Sequence, residues 1–556
     1  MANTRTGGQI LVDQLRLHGV ELCFGVPGES YLAVLDAFYD QEDLRYVICR
    51  QEGGVAMAAE AYGKLTGRPG IAFVTRGPGA TNAASGVHVA QQDSTPLILF
   101  VGQIASATRE RDAFQEVDYR QMFGGMAKWV AEIEEAARIP EFVHRAFMTA
   151  TSGRPGPVVL ALPEDMLLRR SEVVDARPWR RVESHPDPAD LARLEAYLSR
   201  ARRPFVILGG GGWTPEAVQA IRHFVEANDL PVACGFRRQD LLDNEHPLYM
   251  GDIAIGPNPD LVRRIKEADL VVAIGTRLSE MTTQGYALFD IPRPAQHFVH
   301  IHNDVAELGR VYEADLPIHA TMPAIAAGLA RLTVANRPWA SLNAAQRASY
   351  LAWRDPRPGP GHVQMAEIVR YLRTTLPADA IVTNGAGNYC VWVNRGYSYR
   401  QFRSQLAPTS GSMGYGLPAA LAAKLVHPDR AVVCFAGDGC FMMTGQELAT
   451  AVQHEVALIV IVVNNGMYGT IRMHQEREFP TRVSGTDLCN PDFAALARAY
   501  GANGWTVTQT DDFAPAFEAA LASGQPCLIE LKLDPDALTP RASLSEIRAE
   551  ALKAGR

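Results

Sequence analysis

The sequence predicts an α/β protein built from three doubly wound parallel-sheet domains, and three observations carry that prediction. Short apolar runs recur along the chain and alternate with longer segments whose apolar residues fall at helical spacing. Glycine, asparagine and aspartate cluster after several of those runs, where buried parallel strands turn back toward a helix. The chain has 556 residues, too many for one ordinary core, so the pattern must repeat in several domains.

Composition narrows the class. Apolar residues make up 47% and charged residues 21%, the balance of a globular chain, not a disordered one. The net charge of −8 argues against a nucleic-acid footprint, and the Arg169-Arg170 and Arg180-Arg181 pairs read as solvated linker charge. The start, Met1–Gly8, is polar with no apolar signal region, and no apolar run approaches membrane-spanning length. The eight cysteines form no CxxC pair. Cys23, Cys49, Cys390, Cys434 and Cys527 sit in apolar contexts, which points to reduced core thiols in a cytoplasmic protein.

The first domain is expected over residues 1–170. Gly8–Leu17 reads as a helix, Leu22–Gly25 as a strand, and Tyr31–Asp40 as a helix after the turn Pro27-Gly28-Glu29-Ser30. Arg45–Cys49 reads as a strand and the alanine-rich Gly53–Leu65 as a helix. Gly70–Thr75 and Pro96–Val101 read as buried strands separated by the glycine-rich loop Arg76–Asn82 and a helical Ala83–Ala90, and Val158–Leu162 closes the domain. Ser171–Pro188 reads as a linker. A central domain is expected over 189–335, with strands Pro204–Leu208, Val232–Cys234, Leu270–Ile274 and Phe298–Ile301, helix Glu216–Asn228, and the glycine run Gly209–Gly212. A second linker is expected over Asn336–Gly361. The third domain, 362–535, carries helices Val363–Thr374, Pro418–Lys424 and Pro491–Tyr500 and strands Ala380–Thr383 and Cys527–Leu531. The tail after Asp534 is polar and gives no signal. The first and third domains read as variants of one plan.

The third domain holds the most informative stretch, Ala431–Tyr468. An apolar run, Ala431–Ala436, ends in Gly437-Asp438-Gly439; a helix-like Gln446–Glu455 follows; a second apolar run, Ala457–Val463, ends in Asn464-Asn465. Strand, helix and strand of this length form a right-handed βαβ unit, so both polar clusters fall at carboxyl ends of parallel strands, where open sheets bind ligands. Neighbouring strands lie about 4.8 Å apart, close enough for Asp438 and Asn465 to reach one ion. Oxygen ligands beside glycine-exposed N–H groups suit a hard cation holding a phosphate, such as Mg²⁺ with a diphosphate. Either cluster alone is equally a turn or a strand terminator.

In the first domain, Glu52 sits where Arg45–Cys49 passes into the alanine-rich helix. A helix-start acid favoured by the dipole explains it locally. A carboxylate in an apolar pocket also suits a proton-sharing role tuned by burial.

With residues 440–463 between them, GDG and NN together resemble the diphosphate signature of thiamine-diphosphate (ThDP) enzymes, and the chain resembles the acetolactate-synthase branch of that family over about residues 5–535. The resemblance is carried by FGVPGES (24–30), QEGGVAMAAEAYGKLTG (51–67), TRGPGATN (75–82), DAFQEVD (112–118), KW (128–129), TSGRPGPVVLALPED (151–165), GSMGYGLPAA (411–420) and the GDG–NN unit. Glyoxylate carboligase lacks the family glutamate, whereas Glu52 is present.

The resemblance implies a cofactor set of ThDP and Mg²⁺. Glu52 would share a proton with the aminopyrimidine ring, which makes it the catalytic residue. Asp438, Asn465 and the Met467 carbonyl would ligate Mg²⁺. Gly439, Cys440 and the turn Gly385–Asn388, with Gly385, Gly387 and Asn388, would hold the diphosphate. Gly411 and Met413 would meet the pyrimidine, and Gly437, Tyr468 and Gly469 complete the cofactor set. Sites would lie at the interface of a homodimer or homotetramer, with Glu52 from one subunit and the Mg²⁺–diphosphate half from the other.

On substrate the resemblance is mixed. Phe114, Gln115 and Lys128 match acetolactate-synthase channel positions. Thr470-Ile471 and His474 stand where those enzymes carry Met-Val and Trp, and Glu29 aligns with the active-site Asp of pyruvate decarboxylase. That enzyme's paired histidines are replaced by Gln103-Ile104. Arg472 is either an acceptor-carboxylate partner or a surface arginine. The Arg-Phe-Asp-Asp-Arg segment of FAD-holding acetolactate synthases is here Arg277-Leu278-Ser279-Glu280-Met281, so FAD is disfavoured. The implied reaction is decarboxylation of a small-molecule 2-oxo acid with ligation to a second carbonyl. The alternatives are a simple decarboxylase that releases an aldehyde and an inactive ThDP-fold binding protein.

Overall fold

A computed structural model describes residues 4–555. These residues form two compact units: Met1–Val182, Pro408–Pro428 and Thr444–Val456 in one, and Glu183–Ala407, Asp429–Met443 and Ala457–Arg556 in the other.

The first unit is built on a six-stranded sheet with β1 Leu22–Gly25, β2 Arg45–Ile48, β3 Gly70–Val74, β4 Leu97–Gln103, β5 Trp129–Glu132 and β6 Pro157–Pro163. All its pairings are parallel and the order is β2-β1-β3-β4-β6-β5. β3, β4 and β6 are buried along their whole length, which is why they read as continuous apolar runs in the sequence. The helix Glu52–Thr66 is almost entirely buried, and its alanines and glycines let neighbours approach closely: a Cβ on Gly63 would lie 2.5 Å from the Pro96 carbonyl oxygen. Helix formation begins earlier than expected after β3, because Pro78 opens a helix, Pro78–Asp93, inside the stretch that reads as a glycine-rich loop.

The second unit contains two six-stranded parallel sheets. One has β7 Pro204–Leu208, β8 Val232–Gly235, β9 Tyr249–Ile253, β10 Leu270–Ile274, β11 His297–His302 and β12 Leu316–His319, in the order β9-β8-β7-β10-β11-β12. The other has β13 Ile381–Asn384, β14 Gln405–Leu406, β15 Val432–Gly437, β16 Ile459–Asn464, β17 Asn503–Val507 and β18 Cys527–Lys532, in the order β14-β13-β15-β16-β18-β17. The first and third sheets therefore share one strand order, as their sequences suggested, while the middle sheet has the 3-2-1-4-5-6 order of dinucleotide-binding folds. The predicted class, three doubly wound parallel sheets, is the observed one.

Two local expectations are corrected. The second linker contains a helix, Ala340–Arg354, whose buried residues are Asn343, Gln346 and Tyr350, so it shows no apolar stripe. The tail after Asp534 forms the helix Leu544–Lys553 with buried Leu544, Ile547 and Ala551. All eight cysteines are free, and only Cys489 is exposed. Among the described residues no helix is long and apolar enough to cross a membrane.

Candidate active site

In the second unit, β15 and β16 are immediate parallel neighbours, with Gly437 opposite Val463, so Asp438 and Asn465 leave adjacent strand ends. The Asp438 side chain is buried, at 3% exposure, and every partner it has is a neutral donor. Its Oδ1 accepts from the Gly439 N–H at 2.8 Å; its Oδ2 accepts from the Gly466 N–H at 2.9 Å and from Asn490 Nδ2 at 2.8 Å. Burial raises this carboxyl above its ordinary range, against the pull of those donors. A buried carboxylate without a cationic partner is costly, and a divalent cation would supply the missing counter-charge. Asn465 and Met467 follow at the end of β16, the Met467 N–H also reaching Asp438, and the Asn465 amide and Met467 carbonyl are hard oxygens of the kind Mg²⁺ prefers. No cluster of three His, Cys, Asp or Glu side chains competes as a metal site among the described residues.

Two further residues brace this end of the sheet. Asn490 Nδ2 also reaches Asn464 Oδ1 at 3.0 Å, and Asn464 Nδ2 donates to the buried Glu530 at 2.7 Å. Asn490 therefore ties the Asp438 carboxylate to the first asparagine of the Asn464-Asn465 pair.

The switch point of this sheet lies between β13 and β15, and the turn Gly385–Asn388 follows β13. Gly387 has φ of 144°, a conformation that favours glycine, and a Cβ there would meet the Tyr389 ring at 2.8 Å. The Gly385 N–H donates to Tyr389 Oη at 3.1 Å, and Tyr389 Oη donates to Cys440 Sγ at 3.3 Å. Gly437 also lies against the Tyr389 ring, and Gly439 against the ring of Tyr468. Asn388 Oδ1 accepts from Thr470 at 3.0 Å, which joins the turn to the helix Gly469–Glu478.

That helix places Ile471 and His474 on exposed positions, Ile471 at 55%. Arg472 is held by Glu476, with Nε 3.1 Å and Nη2 3.0 Å from Glu476 Oε1, and its Nη1 lies 3.6 Å from Asp487. Arg548 of the C-terminal helix binds the same carboxylate at 2.6 and 2.8 Å. Led by the Arg548 bond, these contacts hold Glu476 down at about 2.

In the first unit, Glu52 is the first residue of its helix, and its Oε2 accepts from Asn82 Nδ2 at 2.9 Å. A Cβ on Gly79 would lie 3.4 Å from Glu52 Oε1, so that glycine leaves the carboxylate room. The turn before Glu52 is fixed by a residue that the sequence reading did not single out. Glu447, wholly buried, accepts from the Arg50 N–H at 3.1 and 3.3 Å, the Gln51 N–H at 3.0 Å and Thr450 Oγ1 at 2.6 Å. Burial pushes its carboxyl up, and the Thr450 and backbone donors oppose the push. Met413 and Gly411, at φ of 68°, lie in a loop of this same unit.

Glu29 is exposed and bonded to Arg76 at 2.9 Å; Arg76 bonds Glu164 at the same distance. Arg76, which follows β3 at the start of the glycine-rich stretch, had no ion-pairing role evident in the sequence. Phe114 is 74% exposed, Gln115 has φ of 66°, and Lys128 Nζ donates to the Ser152 carbonyl at 2.5 Å.

In the middle sheet, the Gly209–Gly212 run follows β7. A Cβ on Gly210 would lie 1.8 Å from the Gly275 carbonyl oxygen, so the turns after β7 and β10 pack directly on each other. Buried Trp213 donates from Nε1 to the Gly209 carbonyl at 2.9 Å.

Three matches to thiamine pyrophosphate enzymes cover the chain: the N-terminal TPP binding domain over residues 5–122, the central domain over 191–329, and the C-terminal TPP binding domain over 385–531. The acetolactate synthase isozyme 2 large subunit of Escherichia coli K12 is 32% identical over 533 residues, 95% of each chain. The chain belongs to the thiamine pyrophosphate enzyme family. Within that family it is also similar to the acetolactate synthase large subunits of Parasynechococcus marenigrum, at 31% identity over 95% of this chain and 87% of that protein, and of Lactococcus lactis, at 32% over 89% and 87%. Against this thiamine pyrophosphate enzyme frame, Asp438, Asn465 and the Gly385–Asn388 turn gather in the C-terminal TPP-binding match, and Glu52 lies in the N-terminal one.

Proposed function

We propose that this chain is a ThDP- and Mg²⁺-dependent enzyme that decarboxylates a 2-oxo acid and joins the remaining carbon unit to a second carbonyl compound, as in acetolactate synthesis. The observation that carries the reading is the buried Asp438 carboxylate, bonded to neutral donors and followed on the adjacent strand end by Asn465, in a matched TPP-binding domain. When bound, ThDP supplies a thiazolium carbon that attacks the keto group and accepts the electrons released with CO₂. The residues do the rest. Asp438, Asn465 and the Met467 carbonyl hold Mg²⁺, and Gly385, Gly387, Asn388, Gly437, Gly439, Cys440, Tyr468 and Gly469 take the diphosphate. Glu52 holds a proton at the aminopyrimidine ring nitrogen, and Gly411 and Met413 orient that ring.

The two halves of the site come from different subunits of a homodimer or larger homo-oligomer in this reading. The exposed apolar side chains Phe114, Met442, Met443 and Ile471 support such an assembly. Glu29, Phe114, Gln115, Lys128, Ile471 and His474 face the 2-oxo acid. Arg472 enters only as a brace, because Glu476 already occupies it. Seven buried free cysteines support a reducing, cytoplasmic setting. FAD is the less favoured cofactor: the segment 277–281 departs from that of FAD-holding acetolactate synthases, and the glycine turn after β7 packs on the turn after β10, with Trp213 bonded to the Gly209 carbonyl.

Cofactor removal tests the reading. Protein stripped with a chelator should release no CO₂ from a panel of 2-oxo acids, and ThDP with Mg²⁺ together, not either alone, should restore release. Turnover that persists in the stripped protein contradicts it.

A further inference from the structure

The first unit contains a closed group of charges that the proposed chemistry does not use. Glu60 and Lys64 lie one turn apart on the helix Glu52–Thr66, and Asp93 ends the helix Pro78–Asp93. All three are buried or nearly so, with side-chain exposures of 0, 9 and 1%. Lys64 Nζ lies 3.3 Å from Glu60 Oε1 and forms a short ion pair with Asp93. One ammonium thus serves two carboxylates, so the group needs further donors to be tolerated away from water.

Thr95 supplies one to Glu60, and the others come from one loop. Tyr415 Oη donates to Glu60 Oε2 at 2.6 Å, and its ring lies 5.0 Å from Lys64 Nζ. Thr409 donates its backbone N–H to Asp93 Oδ1 at 2.7 Å, and its hydroxyl donates to the same oxygen. Between these anchors the chain passes through Gly411 and Gly414, both at positive φ, and Met413; Thr444 Oγ1 fixes the Gly414 carbonyl at 2.6 Å. A loop containing two glycines in the left-handed region has little stiffness of its own. Its shape is imposed from outside, by Thr444 at Gly414 and by the buried carboxylates, to which both ends are bonded.

We propose that Glu60, Lys64 and Asp93 are positioning residues that fix the Thr409–Tyr415 loop and, through it, the grip of Met413 on the aminopyrimidine half of ThDP. This rests on the reading of Met413 given above. It predicts that damage to the cluster weakens recognition of the thiamine portion and spares recognition of the diphosphate, whose donors lie on other segments.

The test compares two ligands on full-length protein with Mg²⁺: ThDP and inorganic diphosphate, each titrated by calorimetry. Asp93→Asn should raise the Kd for ThDP about tenfold and change that for diphosphate less than twofold. Thr409→Val removes one hydroxyl donor, decides the matter if Asp93→Asn does not fold, and should give about threefold. Hydrogen exchange on the ligand-free variants should quicken at residues 408–415 and stay unchanged over the strands of the first sheet. Equal weakening of both ligands, unchanged ThDP affinity, or faster exchange spread through the whole unit would overturn the proposal. Met413→Ala separates the two levels. If it binds ThDP normally, the reading of Met413 fails and the proposal with it. If it weakens ThDP while the cluster variants do not, the proposal alone fails.

Discussion

At the scale of single residues, Glu52 carries the sharpest prediction because its two roles differ in magnitude. An acid at a helix start is worth about 0.3–1 kcal/mol to stability. Loss of general acid–base function costs 10²–10⁴ in rate, about 3–5 kcal/mol of barrier. Glu52→Gln should therefore melt within a few degrees of the parent while its kcat falls at least a hundredfold, measured by steady-state CO₂ release. Asn490 makes a second case. It donates to the Asp438 carboxylate at 2.8 Å, and residues that orient a metal ligand typically account for 10–100-fold in metal affinity. Asn490→Ala should raise the Mg²⁺ concentration for half-maximal activity by about that factor, with little change at saturating Mg²⁺. A normal Mg²⁺ requirement would show that Asp438 needs no such brace.

Legibility at this scale follows from position in the fold. Asp438 and Asn465 could be read from the chain because each follows a buried strand, where turn residues and ligands coincide. Asn490 and Glu447 could not, because they reach their partners only through the tertiary fold: Asn490 is 52 positions from Asp438, and Glu447 is 396 from Gln51. Arg472 was half legible, since Glu476 stands four residues on along the same helix, the spacing of a helical ion pair.

At the scale of elements, the C-terminal helix Leu544–Lys553 packs against Gly469–Glu478 and is tied to it by Arg548 and Glu476. Glu476 is held at about 2 in the folded chain against an ordinary 4.5. A folded-state value below the unfolded one means stability that is present above about pH 4.5 and is lost as pH falls toward 2. Glu476→Gln should therefore loosen this helix at neutral pH, with faster hydrogen exchange over 544–553, and should flatten the helix's sensitivity to acid in that window. Exchange identical to the parent at both pH values would contradict the assignment. The Leu544, Ile547 and Ala551 face was in the sequence but too short to stand out, whereas the face of Ala340–Arg354 is polar and left no pattern to read.

At the scale of the molecule, the strand orders explain which strands are legible in the sequence. Interior strands such as β3, β4, β15 and β16 are buried on both faces and leave continuous apolar runs. The strands that escaped notice, β5, β9, β12, β14 and β17, all stand at sheet edges; β5, β12 and β17 are partly uncovered, β14 is only two residues long, and β9 is buried but carries Gly251 and Asp252 in place of a continuous apolar run. The strand ends proposed to meet the cofactor follow from the shared order of the first and third sheets; the proposed substrate surface, with exposed Phe114 and the helical His474, follows from no such rule. The central claim is that the chain forms a carbon–carbon bond after decarboxylation. Purified protein supplied with ThDP, Mg²⁺ and carbon-13-labelled pyruvate, followed by NMR, tests it directly: the account predicts 2-acetolactate as the main labelled product, and acetaldehyde without acetolactate would contradict it.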